Sequence, residues 1–154
     1  METQTASKII FAFTLCMVCS LFSVAQTFAS ADSAFAKAKI EAKPVLLMFT
    51  GSDWCTSCIR FDKKVMQDAA FKEYAEKHLV LITADFPQQK KLPKEIVRQN
   101  DSLAALYNAD GAFPKFVLLN PIQKNVRQVT YGTQNATEFI GEVKKHLLTL
   151  GNYE

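Results

Sequence analysis

The chain has 154 residues, 49% of them hydrophobic, and a formal net charge of +3. That length and apolar content suit one domain with a sizeable core. The charge is too mild to argue for nucleic acid, and the pairs Lys63-Lys64, Lys90-Lys91 and Lys144-Lys145 are spread along the chain as solvated faces would be.

Residues 1–25 read as an export signal. Lys8 supplies a positive flank, weakened by Glu2, and residues 9–21 are mainly apolar. Ser23-Val24-Ala25 then puts small residues where a signal peptidase cuts, with Thr27-Phe28-Ala29 as a second candidate. The competing reading is an uncleaved anchor, because residues 9–25 approach the lower limit of about 17 residues for spanning a bilayer. The small-residue site favours cleavage. No Leu-Ala-Gly-Cys lipoprotein pattern precedes Cys16 or Cys19. Those two cysteines lie inside the apolar segment, where a thiol behaves as a small hydrophobe. The mature domain, residues 26–154, is therefore expected to keep Cys55 and Cys58 as its only thiols. Residues 30–43 predict a short helix, capped by Asp32 or Ser33, stopped by Pro44 and packed against the sheet edge, with Phe35 and Ile40 its larger apolar residues.

The unbroken apolar run 45–50 predicts a strand buried on both faces. Directly after it comes Gly51-Ser52-Asp53-Trp54-Cys55-Thr56-Ser57-Cys58. With Cys55 opening a helix and Cys58 one turn on, both sulfurs project from one side and can close a disulfide. The helix dipole and the free N–H groups of the first turn favour a thiolate on Cys55, which makes it the attacking sulfur. As an inert staple the pair is poor, since so short a loop is worth only about 2 kcal/mol in the chain-entropy model. As a zinc site it lacks partners, because His78 and His146 stand at no finger-like spacing. Redox chemistry is the reading that the context favours. Trp54 would shield the sulfurs and offer a contact surface. Asp53 either opposes the thiolate slightly or faces solvent.

Residues 49–58 resemble the active-site strand and turn of the thioredoxin superfamily, whose signature is an aromatic-rich strand followed by Trp-Cys-x-x-Cys. The continuation Ile59-Arg60-Phe61-Asp62-Lys63-Lys64-Val65, with Asp68 and Phe71, is similar to secreted thioredoxin-like proteins and to the C-terminal periplasmic domain of the Dsb-type transmembrane electron transporter. The resemblance covers residues 43–150. It departs from the family at Met48, where thioredoxins carry a buried acid, at Thr56-Ser57, where cytosolic members have Gly-Pro, and at Lys115, where a threonine often stands.

A helix is expected to run on to about Gln67 with Ile59, Phe61, Val65 and Met66 inward. Asp68 would cap a further helix over 69–78, with His78 at its C-terminal end, and 79–84 predicts a second buried strand. The polar loop 85–93 is a place for partner contacts. Residues 94–107 predict a helix with Ile96, Val97, Leu103 and Leu106 inward, open to interruption at Asn100-Asp101-Ser102. Asn108-Ala109-Asp110-Gly111 is turn chemistry, and 115–120 a strand. Just before that strand, the resemblance implies that Pro114 is a cis-proline facing the cysteines. Its role would be to expose the Phe113 backbone to an extended substrate peptide pairing like an added strand. A hairpin turn at 121–125 leads to a strand over 126–131. Gly132 is then either the glycine that follows the last strand in the family or a turn glycine with positive φ. Asn135 and Glu138 have capping-box spacing and open a final helix with Phe139, Val143, Leu147 and Leu150 on one face and His146 toward solvent.

This order predicts an α/β, thioredoxin-like fold: a mixed central sheet of about four strands flanked by helices. The expected function is an exported, periplasmic or secreted thiol–disulfide oxidoreductase of reductase or isomerase type. Cys55 and Cys58 would be its catalytic pair, and Trp54, Phe113 and Pro114 its substrate contacts. The uncharged Thr56-Ser57 gives no extra thiolate stabilisation of the kind that makes a strong oxidant. Expected partners are protein thiols and disulfides and an upstream redox protein that recharges the pair. No nucleic acid, cofactor or metal is expected, and the membrane is met only through the signal segment. A copper(I) chaperone using the same two sulfurs as soft ligands is the alternative.

Overall fold

The computed structural model describes residues 30–151; the signal segment and the Cys16–Cys19 pair lie outside the described residues. Helix α1 (Ala31–Ile40) leads into strand β1 (Val45–Thr50), helix α2 (Thr56–Phe61) with a π-helical extension (Asp62–Met66), helix α3 (Ala69–His78) and strand β2 (Val80–Asp85). Helix α4 (Lys94–Tyr107), strands β3 (Lys115–Leu119) and β4 (Val126–Val129) and helix α5 (Ala136–Leu150) complete the chain. No helix among the described residues is long and apolar enough to cross a membrane.

The sheet order is β2-β1-β3-β4, parallel between β1 and β2 and antiparallel elsewhere. This is the mixed four-stranded sheet that the element order predicts. Strand β1 is central, and Val45 to Phe49 are buried on both faces, as the continuous apolar run requires. Strand β2 departs from expectation. It lies at the sheet edge, and only alternate residues (Val80, Ile82 and Ala84) are buried.

Alternation along β1 divides the core in two. Leu46 and Met48 face α2, α3 and α5 with Phe61, Phe71, Phe116 and Phe139. Val45, Leu47 and Phe49 face α1 and α4. On that second side, α1 buries Ala31, Ala34 and Ala38, whereas Ile40 is 86% exposed. Small residues let the helix lie close against β2, at the sheet edge as expected, and of the two larger apolar residues Phe35 packs against this core while Ile40 does not. Its cap is Ser30, whose Oγ accepts from Ser33 N–H, and not Asp32 or Ser33.

Helix α4 is continuous through Asn100. Its inner side carries Leu103 and the buried Asn100, whose Nδ2 donates to the Asp85 carbonyl (2.8 Å) at the end of β2. Val97 and Leu106 point outward instead of inward. Asp68 caps α3 by accepting from Ala70 and Phe71 N–H, as its position predicts. Asn135 and Glu138 form the full reciprocal capping box of α5 (3.0 and 2.9 Å), and Phe139, Val143, Leu147 and Leu150 make its buried face. His146 is half-buried rather than open to solvent. Asn135→Ala should cost about 1 kcal/mol, and calorimetry should register it as a Tm drop of roughly 2–4 °C for a domain of this size. An unchanged Tm would mean that packing alone holds the start of α5.

Candidate active site

Gly51 ends the run-up from β1, and its carbonyl accepts from Cys55 N–H (2.9 Å), closing a tight turn. Trp54 folds back over this turn. A Cβ at position 51 would overlap the indole ring, so only glycine lets the ring lie there. Cys55 is the N-cap of α2, Cys58 sits in its first turn, and the two sulfurs are bonded to each other. Cys58 N–H also points at Cys55 Sγ (3.2 Å), and Ile59 N–H closes the turn on the Cys55 carbonyl. In the dithiol form that N–H and the helix dipole favour a thiolate on Cys55. Cys55 and Cys58 are 7% and 4% exposed, so any partner must press into this end of the molecule to reach sulfur.

The helix carrying the pair continues to Gln67 as expected, but not in one form. Gln67 N–H reaches back five residues to the Asp62 carbonyl (3.0 Å), a π turn. Behind Cys58 a small cavity of about 80 Å³ is walled by Met48, Phe61, Asp62, Thr83, Pro114 and neighbouring side chains. Met48 is buried there, so the wall has no carboxylate at that position; its acid is Asp62, held by Gln67 Nε2 (2.7 Å).

Five residues singled out from sequence meet at this end. The Phe113–Pro114 bond is cis, and Pro114 shares the cavity wall with Cys58. The Phe113 ring meets Trp54 edge-on, with centroids 5.4 Å apart. Trp54 is 39% exposed and forms, with Phe113, an aromatic ridge beside the sulfurs. Lys115 turns away to pair with Asp110 (2.6 Å). Gly132 is not among the glycines with positive φ, which are Gly111 and Gly151, so its turn-glycine reading is set aside. His78 stacks on Tyr74 at the end of α3.

Asp53 is partly open to solvent, as one of its two readings has it, but it also carries contacts that neither reading foresaw. Its carboxylate accepts three backbone N–H groups, from Gln88 (2.9 Å), Gln89 (2.8 Å) and Lys90 (3.2 Å). The two residues around it do the same kind of work. Ser52 donates through N–H and Oγ to the Asp85 carboxylate (2.9 and 2.6 Å), and Trp54 Nε1–H donates to the Phe86 carbonyl (2.7 Å). Phe86 then packs edge-on against Phe113 at 5.5 Å. The turn that presents the cysteines is thus fastened to the loop after β2. Phe86 and Asp85 had no sequence signal of this role, since their partners lie some thirty residues earlier; a glycine immediately before a Trp-containing turn was the only local hint.

The bonds from Gln88, Gln89 and Lys90, led by Gln88, hold the Asp53 carboxyl below its ordinary pKa. A group so lowered contributes fully above the usual carboxylate range, and its contribution is lost as pH falls through the lowered value. Amide protection factors at residues 88–90 should therefore persist into mild acid and fall only in stronger acid. In Asp53→Ala they should be low at every pH. Unchanged protection in that variant would show that other contacts hold the loop.

Comparison with known proteins agrees with this geometry. A family model described as thioredoxin-like matches residues 26–121. The chain is 34% identical over 109 residues to the disulfide bond reductase DsbH of Chlamydia pneumoniae, a match covering 71% of this chain. It spans 65% and 33% of the lengths of two curated relatives. A solved structure of a DsbH oxidoreductase superposes with a TM-score of 0.72 at 31% identity, covering 77% of this chain and 82% of that one. The oxidised C-terminal domain of DsbD from Neisseria meningitidis shares the fold (TM-score 0.51, 18% identity, 74% and 91% covered).

Proposed function

Because the chain belongs to the thioredoxin-like family, we propose that it is an exported thiol–disulfide oxidoreductase acting on protein substrates, as a reductase or isomerase. The observation that carries this reading is the bonded Cys55–Cys58 pair at the start of α2, with Cys58 N–H on Cys55 Sγ and the Trp54–Phe113 ridge and Pro114 alongside. Similarity to a protein named as a disulfide bond reductase supports the direction of electron flow. Export rests on residues 1–25, whose composition is that of a cleaved signal.

In the reduced protein the Cys55 thiolate attacks one sulfur of a substrate disulfide. A mixed disulfide forms, and the other substrate sulfur leaves as a thiolate and takes a proton. Cys58, once deprotonated, attacks Cys55 Sγ and expels the second substrate thiolate. The substrate gains two electrons and the protein is left with the Cys55–Cys58 bond seen here. An upstream dithiol protein must then return the pair to the reduced form. The Phe113 backbone next to Pro114 is the edge along which an extended substrate strand would pair. For a copper(I) chaperone using the same two sulfurs nothing specific speaks.

Equilibration in glutathione buffers tests the proposal, and Trp54, the single tryptophan of the chain, reports the state of the adjacent sulfurs. The expected outcome is a reversible two-electron transition at a potential well below the roughly −120 mV of a strong oxidant. Failure of the dithiol and disulfide forms to interconvert would remove the assignment. Tight one-to-one Cu(I) binding with negligible insulin reduction would replace it with the chaperone.

A further inference from the structure

Phe113 and Pro114 stand between two anchors. On one side the loop after α4 closes on itself. Asn108 is buried, accepts from Ala112 N–H (3.1 Å) and donates to the Ala112 carbonyl (3.0 Å), and Gly111 N–H donates to the Asn108 carbonyl (2.9 Å). On the other side Lys115 opens β3 and lies opposite Phe49 of β1, the strand that runs on into the cysteine turn. One ion pair joins the two anchors across the residues between them. Lys115 Nζ lies 2.6 Å from Asp110 Oδ1, with the lysine side chain only 12% exposed and the aspartate 61%. That bond is also the main cause holding the Asp110 carboxyl below its ordinary pKa. A threonine at position 115 would be too short to make it. The segment so spanned borders the sulfurs: the Phe113 ring meets Trp54 at 5.4 Å, and Pro114 shares a cavity wall with Cys58.

We propose that Lys115 is a positioning residue for the substrate: its bond to Asp110 fixes the Phe113 backbone in the register at which an extended substrate strand brings its disulfide to Cys55. The inference rests on the oxidoreductase reading above. Alternation along β3 puts Lys115 on the face of Val117 and Leu119, toward α1 and α4, whereas Phe116 and Leu118 face the side of α2. The lysine therefore touches no reacting atom and acts through Phe113. Without the ion pair, the closed loop is joined to β3 only through the two residues of the edge itself. A substrate strand would then have to order that edge as it binds, and part of its binding energy would be lost to the ordering. A disulfide with no strand to pair makes no use of the edge, so it gains nothing from the bond.

Two neutral substrates with the same leaving group test this in single turnovers of the pre-reduced protein. One is an extended peptide with a central cysteine, the other that cysteine alone with both ends capped, each as a mixed disulfide with pyridinethiol. The Cys55 thiolate attacks the cysteine sulfur, the bond to pyridinethiol breaks, and pyridinethiolate leaves, takes a proton and is read by its absorbance. Cys58 then loses its proton, attacks Cys55 Sγ and releases the substrate cysteine, so two electrons pass from the protein dithiol to the mixed disulfide. The peptide should react faster than the capped cysteine. Lys115→Met, which keeps the stem and removes the charge, should cut the ratio of the two rates by about three- to tenfold. Asp110→Ala, a change at an exposed side chain, should cut it equally and decides the matter should Lys115→Met lose its native circular dichroism. The double variant should lose no more than either single one, and Lys115→Arg should keep most of the ratio. Equal, fast rates for both substrates in the unaltered protein, an unchanged ratio in the folded variants, or additive losses in the double variant would overturn the positioning role alone. Rates for both substrates no faster than those of free cysteine at the same pH would overturn the oxidoreductase reading, and the positioning role with it.

Discussion

Replacing Cys55 by serine should abolish insulin reduction, with turnover falling by more than roughly a thousandfold, because a serine hydroxyl neither ionises nor forms a bond to sulfur under these conditions. Cys58→Ser should fail differently. Cys55 remains at the helix start and still attacks, but nothing resolves the mixed disulfide, so one substrate per protein is captured as a covalent adduct visible on non-reducing gels. The asymmetry follows from position: the first sulfur caps α2 and receives the Cys58 N–H, and the second lies behind it against the cavity wall. Loss of fold would not mimic this result. A bond across a loop this short contributes only about 2 kcal/mol, so circular dichroism of both variants should remain native. Capture by Cys55→Ser instead of Cys58→Ser would reverse the assigned roles.

Much of this arrangement can be read along the chain because the responsible interactions are local. A continuous apolar run makes β1 a central strand, Asp68 and Asn135 cap the helices they precede, and the Trp-Cys-x-x-Cys spacing places both sulfurs on one helical turn. What escaped is non-local or depends on close approach. Asp53 looks like a solvent-facing acid until residues 88–90 come round to meet it, thirty-five to thirty-seven residues on. Asn100 looks like a helix breaker until it is seen to hold the end of β2. The inner face of α1 gave no signal in the sequence, because its tight seat on the sheet selects alanine at Ala31, Ala34 and Ala38, and alanine is equally at home on an outer face. The π turn after Phe61 leaves no periodic trace, since one added residue shifts the pattern without erasing it. The errors thus fall on how elements meet and not on which elements exist.

The contact that steadies the sulfur-bearing helix from below comes from the last helix, and it sets the largest expected change in stability. Phe139 is fully buried, with ring centroids 4.9 Å from Phe61, 5.3 Å from Phe116 and 6.0 Å from both Phe71 and Tyr131. Phe61 lies three residues after Cys58, so this cluster ties α5 and the β3–β4 side of the sheet to the helix that presents the pair. Phe139→Ala removes the ring and leaves a void that four rigid neighbours cannot collapse into. The expected cost is about 3–5 kcal/mol, which for a domain of this size lowers Tm by roughly 10 °C or more. Leu148→Ala on the outer face of the same helix, 76% exposed, should change Tm hardly at all. The ordering of the two matters as much as their size, because both lie beyond residue 121, where the match to the family model ends. Equal, small losses would mean that the domain is held without its last helix. A large loss confined to Phe139→Ala would mean that the aromatic cluster, drawn from α2, α3, β3 and α5, holds the last helix against the one that presents Cys55 and Cys58.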